Sequence, residues 1–180
     1  MENHTLSIKE RIIIFVDARN IISSQKNYNI LNKKSVIVGY PELIDYFSKD
    51  NSFIRGYYYD SAPHKNHLTK ERKKFFAFLR NNGFTLRLKE LDFNNNHVSQ
   101  KGVDIFLTAD MISLAYENAY DIALIVSGDG DYVALIDLVK SKGKKVWVLS
   151  FKSSLSDKLR DCADKVFVID NMIGTLQKRA

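Results

Sequence analysis

Along the chain, short runs of β-branched and aromatic residues alternate with longer stretches in which apolar positions recur every three or four residues. The first run, Ile12-Ile13-Ile14-Phe15-Val16, is apolar without a break, the pattern of a strand buried on both faces of a parallel sheet. Continued along the sequence, the pattern predicts strands over residues 11–16, 53–59, 85–89, 122–126, 145–149 and 166–169. Between them it predicts helices over residues 41–49, 65–82, 103–118, 132–141 and 154–162, with Gly83 and Gly143 as stop signals. Such alternation specifies an α/β fold, a mainly parallel sheet covered by helices and joined by right-handed βαβ crossovers. Two polar segments break the alternation and read as loops: residues 21–35, with Asn27, Asn29 and Asn32, and residues 90–101, with Asn94-Asn95-Asn96. No repeat or linker divides the chain, so its 180 residues read as one domain with a core over about residues 11–170.

Composition narrows the class. With 45% apolar and 12% aromatic residues, eight Gly and two Pro, the chain is neither disordered nor collagen-like. Its apolar runs are far shorter than the ~20 residues of a membrane helix, and the first nine residues lack the apolar core of a signal peptide. A single cysteine, Cys162, supplies neither an internal disulfide nor a thiolate zinc site. Together these predict a cytoplasmic protein with no membrane partner. The net charge of +6, from 27 basic and 21 acidic residues, favours polyanionic partners by counterion release.

Candidate chemistry lies where strands end, because ligand crevices in open parallel sheets form beyond the carboxyl edge. The first predicted strand runs into Asp17-Ala18-Arg19-Asn20, and the fourth into Ser127-Gly128-Asp129-Gly130-Asp131. Asp104 follows Lys101-Gly102-Val103, where a helix begins. Each of these acids alone also serves as a helix cap or turn former. If the crossovers are right-handed, however, all three segments share one edge of the sheet. Carboxylates gathered there repel unless something positive neutralises them or one acid stays protonated; a divalent cation is the economical answer, and oxygen-only ligands select Mg²⁺ or Mn²⁺. The chemistry suggested is metal-assisted attack of water on a phosphodiester. Asp110 lies six positions beyond Asp104, on another side of a regular helix, and is assigned a supporting role around the site.

These residues, Val16-Asp17-x-x-Asn20, Lys101-Gly102-Val103-Asp104 with Asp110-Met111, and Ser127-Gly128-Asp129-Gly130-Asp131-Tyr132, resemble the NYN domain family in its LabA-like (DUF88) branch, within the PIN-like nuclease superfamily. The resemblance extends over nearly the whole chain. It implies a three-layer α/β/α sandwich and a metal-dependent endoribonuclease whose partner is RNA. It also implies an acidic centre of Asp17, Asn20, Asp104 and Asp129, with Asp131 as a further ligand or water-positioning group. Arg19 stands where a small residue is usual, next to Ala18 where Gly is usual, and either blocks the site or meets a phosphate.

The leading reading is a Mg²⁺- or Mn²⁺-dependent ribonuclease. Asp17, Asp104 and Asp129 hold the ion, while Lys101, Arg19 and Ser127 meet substrate. The basic segment Lys65 to Lys74 and the tyrosines at 57–59 and 132 offer phosphate contacts and stacking surfaces, although a solvated face of a core-packed helix explains the lysines equally. His4, His64, His67 and His97 show no metal-ligand spacing. Two other readings stand beside it: a receiver-like or phosphatase domain, which would need an Asp-x-Asp-x-Thr start that is absent, and an RNA-binding module of the same fold without turnover. Homo-oligomerisation is left open by the sequence.

Overall fold

A computed structural model describes residues 8–64, 67–91 and 102–179. Six strands, β1 (Arg11–Asp17), β2 (Ser52–Ala62), β3 (Phe84–Glu90), β4 (Ile122–Val126), β5 (Lys145–Ser150) and β6 (Lys165–Val168), pair in parallel throughout. Their order across the sheet is β3-β2-β1-β4-β5-β6. Chain order reverses between β1 and β4, which makes the carboxyl end of that pair the switch point of the sheet.

Seven helices are described: α1 (Ala18–Asn32), α2 (Tyr40–Phe47), α3 (Lys70–Asn81), α4 (Val103–Tyr116), α5 (Val133–Lys140), α6 (Asp157–Cys162) and α7 (Ile169–Leu176). The strict two-residue period of β1 divides them. Ile12, Ile14 and Val16 face a core built with α1, α2, α3 and α7, whereas Ile13 and Phe15 face one built with α4, α5 and α6. The result is a three-layer α/β/α sandwich. Residues 12–16 of β1 are at most 2% exposed, each side chain contributing about 1.5–3 kcal/mol of burial. Among the described residues no helix is long and apolar enough to cross a membrane.

The largest departure from the sequence pattern is α1, since residues 21–35 read as a loop. Its buried stripe is narrow, Ala18, Ile21, Ser24 and Tyr28, and most of its other positions are polar, with asparagines that face outward or bind locally. Asn29 illustrates the second use, accepting the Val36 N–H at 3.0 Å and donating to the Val36 carbonyl at 2.8 Å. Lys33, in the left-handed region at φ 50°, ends the helix. Helix α7 had no signal either, because its apolar positions follow β6 without a turn residue between them. The predicted helix over residues 65–82 begins only at Lys70, where the Thr69 hydroxyl caps the Arg72 N–H at 3.2 Å.

Candidate acidic site

Four acids from four segments line one cleft of about 390 Å³ at the carboxyl edge of the sheet. Asp17 ends β1, Asp60 lies near the end of β2, Asp104 sits in the first turn of α4, and Asp129 follows β4. Arg19 and Tyr132 complete the principal lining. The α4 turn depends on glycine: Gly102 has φ +96°, and a Cβ there would lie 2.8 Å from Lys89 Nζ.

Asp17 is the most constrained of the four. Its Oδ1 accepts the Asn20 N–H at 3.1 Å, capping α1, while Oδ2 accepts the hydroxyls of Ser127 at 3.1 Å and Tyr132 at 3.3 Å. Burial nevertheless raises its pKa above the ordinary carboxylate range, with the neighbouring Asp129 charge adding to the rise and the three hydrogen bonds opposing it. Asp60 is raised for the same first reason, desolvation, although Arg72 pairs with it at 2.7 Å and pulls the other way. By contrast Asp104 and Asp129 are exposed.

The β4 turn is built around Asp17. Ser127 Oγ both donates to Asp17 and accepts the Asp129 N–H at 3.3 Å. Asp129 Oδ1 in turn accepts the Asp131 N–H at 3.0 Å, forming a short 3-10 turn over Gly130–Tyr132. Asn20 Oδ1 accepts the Gly128 N–H at 3.0 Å, tying the start of α1 to the loop after β4. Only glycine fits at 128, where a Cβ would stand 2.2 Å from the Ser154 carbonyl oxygen.

The structure thus brings Asp17, Arg19, Asp104 and Asp129 to one cleft, with Asn20 in the pocket beside it. Asp131 is exposed and is not among the cleft's described lining. Ser127, assigned to substrate by its sequence position, is fully buried and donates to Asp17, orienting that carboxylate. Asp110 is held elsewhere: its carboxylate accepts Arg87 Nε at 2.7 Å, Arg87 Nη2 at 3.1 Å and the Tyr59 hydroxyl at 3.0 Å. Lys101, Lys65 and His97 lie outside the described residues. The tyrosine stacking surface is also corrected, since Tyr58 and Tyr59 are 0% exposed and Tyr132 is 4% exposed beneath Asp17.

Two members were missed from the sequence. Asp60 follows the aromatic run of β2 as Asp17 follows that of β1, so the same strand-end rule finds it. Tyr132 was read as a stacking surface, but its hydroxyl serves Asp17.

All donors in the cleft are oxygens, a set that suits a hard divalent cation in kind. Among the described residues no three His, Cys, Asp or Glu side chains converge as a finished ligand group, so the acids line a cleft and do not form a closed cage.

A sequence profile described as NYN domain matches residues 11–170. The Low amplitude and bright protein LabA of Synechococcus elongatus is 24% identical over 177 residues, spanning 93% of this chain and 88% of that protein. A crystal structure of a Vibrio parahaemolyticus protein of unknown function superposes with a TM-score of 0.76 at 24% identity, over 99% of both chains. That structural likeness bears on the fold alone.

Proposed function

Because the chain belongs to the NYN domain family, we propose that it is a Mg²⁺- or Mn²⁺-dependent endoribonuclease acting in the cytoplasm, with its reacting centre at the cleft between β1 and β4. The observation that carries this reading is the meeting of Asp17, Asp60, Asp104 and Asp129, which are remote in sequence, at the switch point of the sheet. Asp60 already pairs with Arg72, and burial raises Asp17, so a divalent ion would relieve the repulsion that remains among Asp17, Asp104 and Asp129. Asp17, Asp104 and Asp129 are the residues that would hold the ion. When bound, such an ion supplies neutralisation of charge at a phosphoryl oxygen and a water of lowered pKa.

The chain's own groups do the rest. Ser127 and Tyr132 fix the orientation of Asp17, and Asn20 keeps the two loops in register. Arg19, exposed on the cleft wall, is placed to meet a phosphate oxygen, so the departure at this position aids binding in this reading. Lys101, next to Gly102 in sequence, is assigned the same role, and Asp131 a place in the outer water shell.

A second reading is an RNA-binding module without turnover, favoured by the open spacing of the described acids. Incubation with single-stranded and structured RNAs in Mn²⁺ or Mg²⁺ separates the two. Internal cleavage that disappears in Asp129→Asn supports the ribonuclease. Cleavage unchanged in that variant, or metal-dependent RNA binding without any cleavage, overturns it.

A further inference from the structure

The acid cleft opens into a groove between α1 and α3 that the proposed reaction leaves unused. The first part of the groove, about 550 Å³, shares Arg19, Asp60 and Ser61 with the cleft and adds the cations Lys26 and Arg72. Beyond it lies a larger pocket of about 620 Å³, sharing Ile22, Tyr58 and Phe75 with the first part. The walls of that pocket are apolar and include Phe78, while Lys74, Lys178 and Arg179 bring positive charge to its lining.

Among the described residues, the buried Glu42 Oε2, in a residue lining this pocket, has no hydrogen-bond partner. Glu42 is a carboxylate only 7% exposed. Its Oε1 accepts the Arg179 N–H at 2.9 Å, whereas Oε2 lies over Gly39, where a Cβ would stand 1.8 Å away. A glycine at 39 is what admits the carboxylate. Burial without a partner is rare for such groups and calls for a missing donor.

We propose that this pocket receives an unstacked guanine base of the RNA strand whose phosphate lies in the acid cleft. The Glu42 carboxylate accepts the base's N1–H and N2 amino hydrogens. This inference rests on the ribonuclease reading above. Three features select that occupant. The pocket adjoins the cleft through a stretch lined by Arg19, Lys26 and the Arg72–Asp60 ion pair, where Arg19 and Lys26 suit a phosphate backbone. Its apolar walls, with Phe75 and Phe78, suit the faces of a ring. Its unused acceptor suits the base with two adjacent N–H donors on one edge. Adenine and cytosine offer an amino group beside a ring acceptor, and uracil an N–H between two carbonyls that a carboxylate repels. Oε2 is shielded from water as it stands, but the terminal torsion of a glutamate is soft, so the carboxylate can turn to the pocket.

The test is calorimetric titration of the full chain with GMP, AMP, CMP and UMP in EDTA, which needs neither metal nor turnover. GMP is expected to bind about tenfold tighter than the other three, an advantage that Glu42→Gln removes. Ile22→Trp, at a half-exposed position shared by both parts of the groove, should block GMP without touching Glu42, and guards against a folding defect in the first variant. Equal affinities, no binding, or GMP affinity unchanged in both variants overturns the proposal. RNA cleavage measured alongside keeps the two ideas apart. Cleavage without GMP binding removes the pocket and leaves the ribonuclease; GMP binding without cleavage does the reverse.

Discussion

Replacing Asn20 by alanine removes the single side-chain acceptor of the Gly128 N–H, at 3.0 Å, and with it the tie between the loops that carry Asp17 and Asp129. Gly128 is buried and the Ser154 backbone crowds its other side, so any water replacing the lost oxygen must come from the pocket that Asn20 lines. An amide left unsatisfied in this way costs about 1–3 kcal/mol. For a chain of this length each kcal/mol moves the melting temperature by roughly 2–4 °C, so the expected fall is about 2–12 °C. Scanning calorimetry measures it. RNA cleavage should fall as well, because Asp129 follows Gly128 directly. An unchanged melting temperature in Asn20→Ala refutes the role of this side chain as a tie.

Asp104→Asn and Asp129→Asn, both at exposed positions, should each lower RNA cleavage at least about 100-fold with no loss of melting temperature, since ion ligands matter more than the outer-shell groups worth 10–100-fold. Asp110→Ala strips Tyr59 and Arg87 of their acceptor and should destabilise by about 1–3 kcal/mol in urea unfolding, with cleavage per folded molecule unchanged; a large fall in kcat would place Asp110 at the reacting centre after all. Acidity provides another check. Asp17 and Asp60 are raised in the fold, so in metal-free protein their contribution to stability is present below the unfolded value of about 4 and is lost as pH rises through the folded values. Asp17→Asn should therefore gain melting temperature relative to the parent as pH rises from about 4 through the raised value of Asp17, and a constant difference contradicts this. Asp121 runs the other way. Hydrogen-bonded by Arg11, it is pushed down to about 2, so its contribution is present above the unfolded value of about 4 and disappears as pH falls through about 2.

The sheet was legible because its strands are buried on both faces and carry unbroken apolar runs, as in residues 12–16 and 122–126. Helix α1 was not, because only a narrow stripe of it is buried and composition then speaks for the exposed positions. The acidic centre was legible at Asp17 and Asp129, which terminate strands β1 and β4 at the reversal of strand order. Asp60 directly follows the predicted strand over residues 53–59 and is open to the same strand-end rule; in the fold β2 runs on to Ala62, so the acid lies within the strand. Side-chain orientation is beyond a linear pattern: Ser127 and Tyr132 stand next to the acids in sequence, and only the fold shows both turned inward onto Asp17. Glu42 is the extreme case, an acid near the start of a helix that reads as a routine dipole partner and is in fact buried.

Whether Asp17, Asp104 and Asp129 act together is read most directly by titrating the chain with Mn²⁺ and following free ion by electron paramagnetic resonance. One saturable site is expected per chain, weakened strongly in Asp17→Asn, Asp104→Asn and Asp129→Asn alike and unaffected in Asp121→Asn at the far edge of the sheet. No saturable binding, or binding that survives all three substitutions, contradicts a shared ion at the switch point.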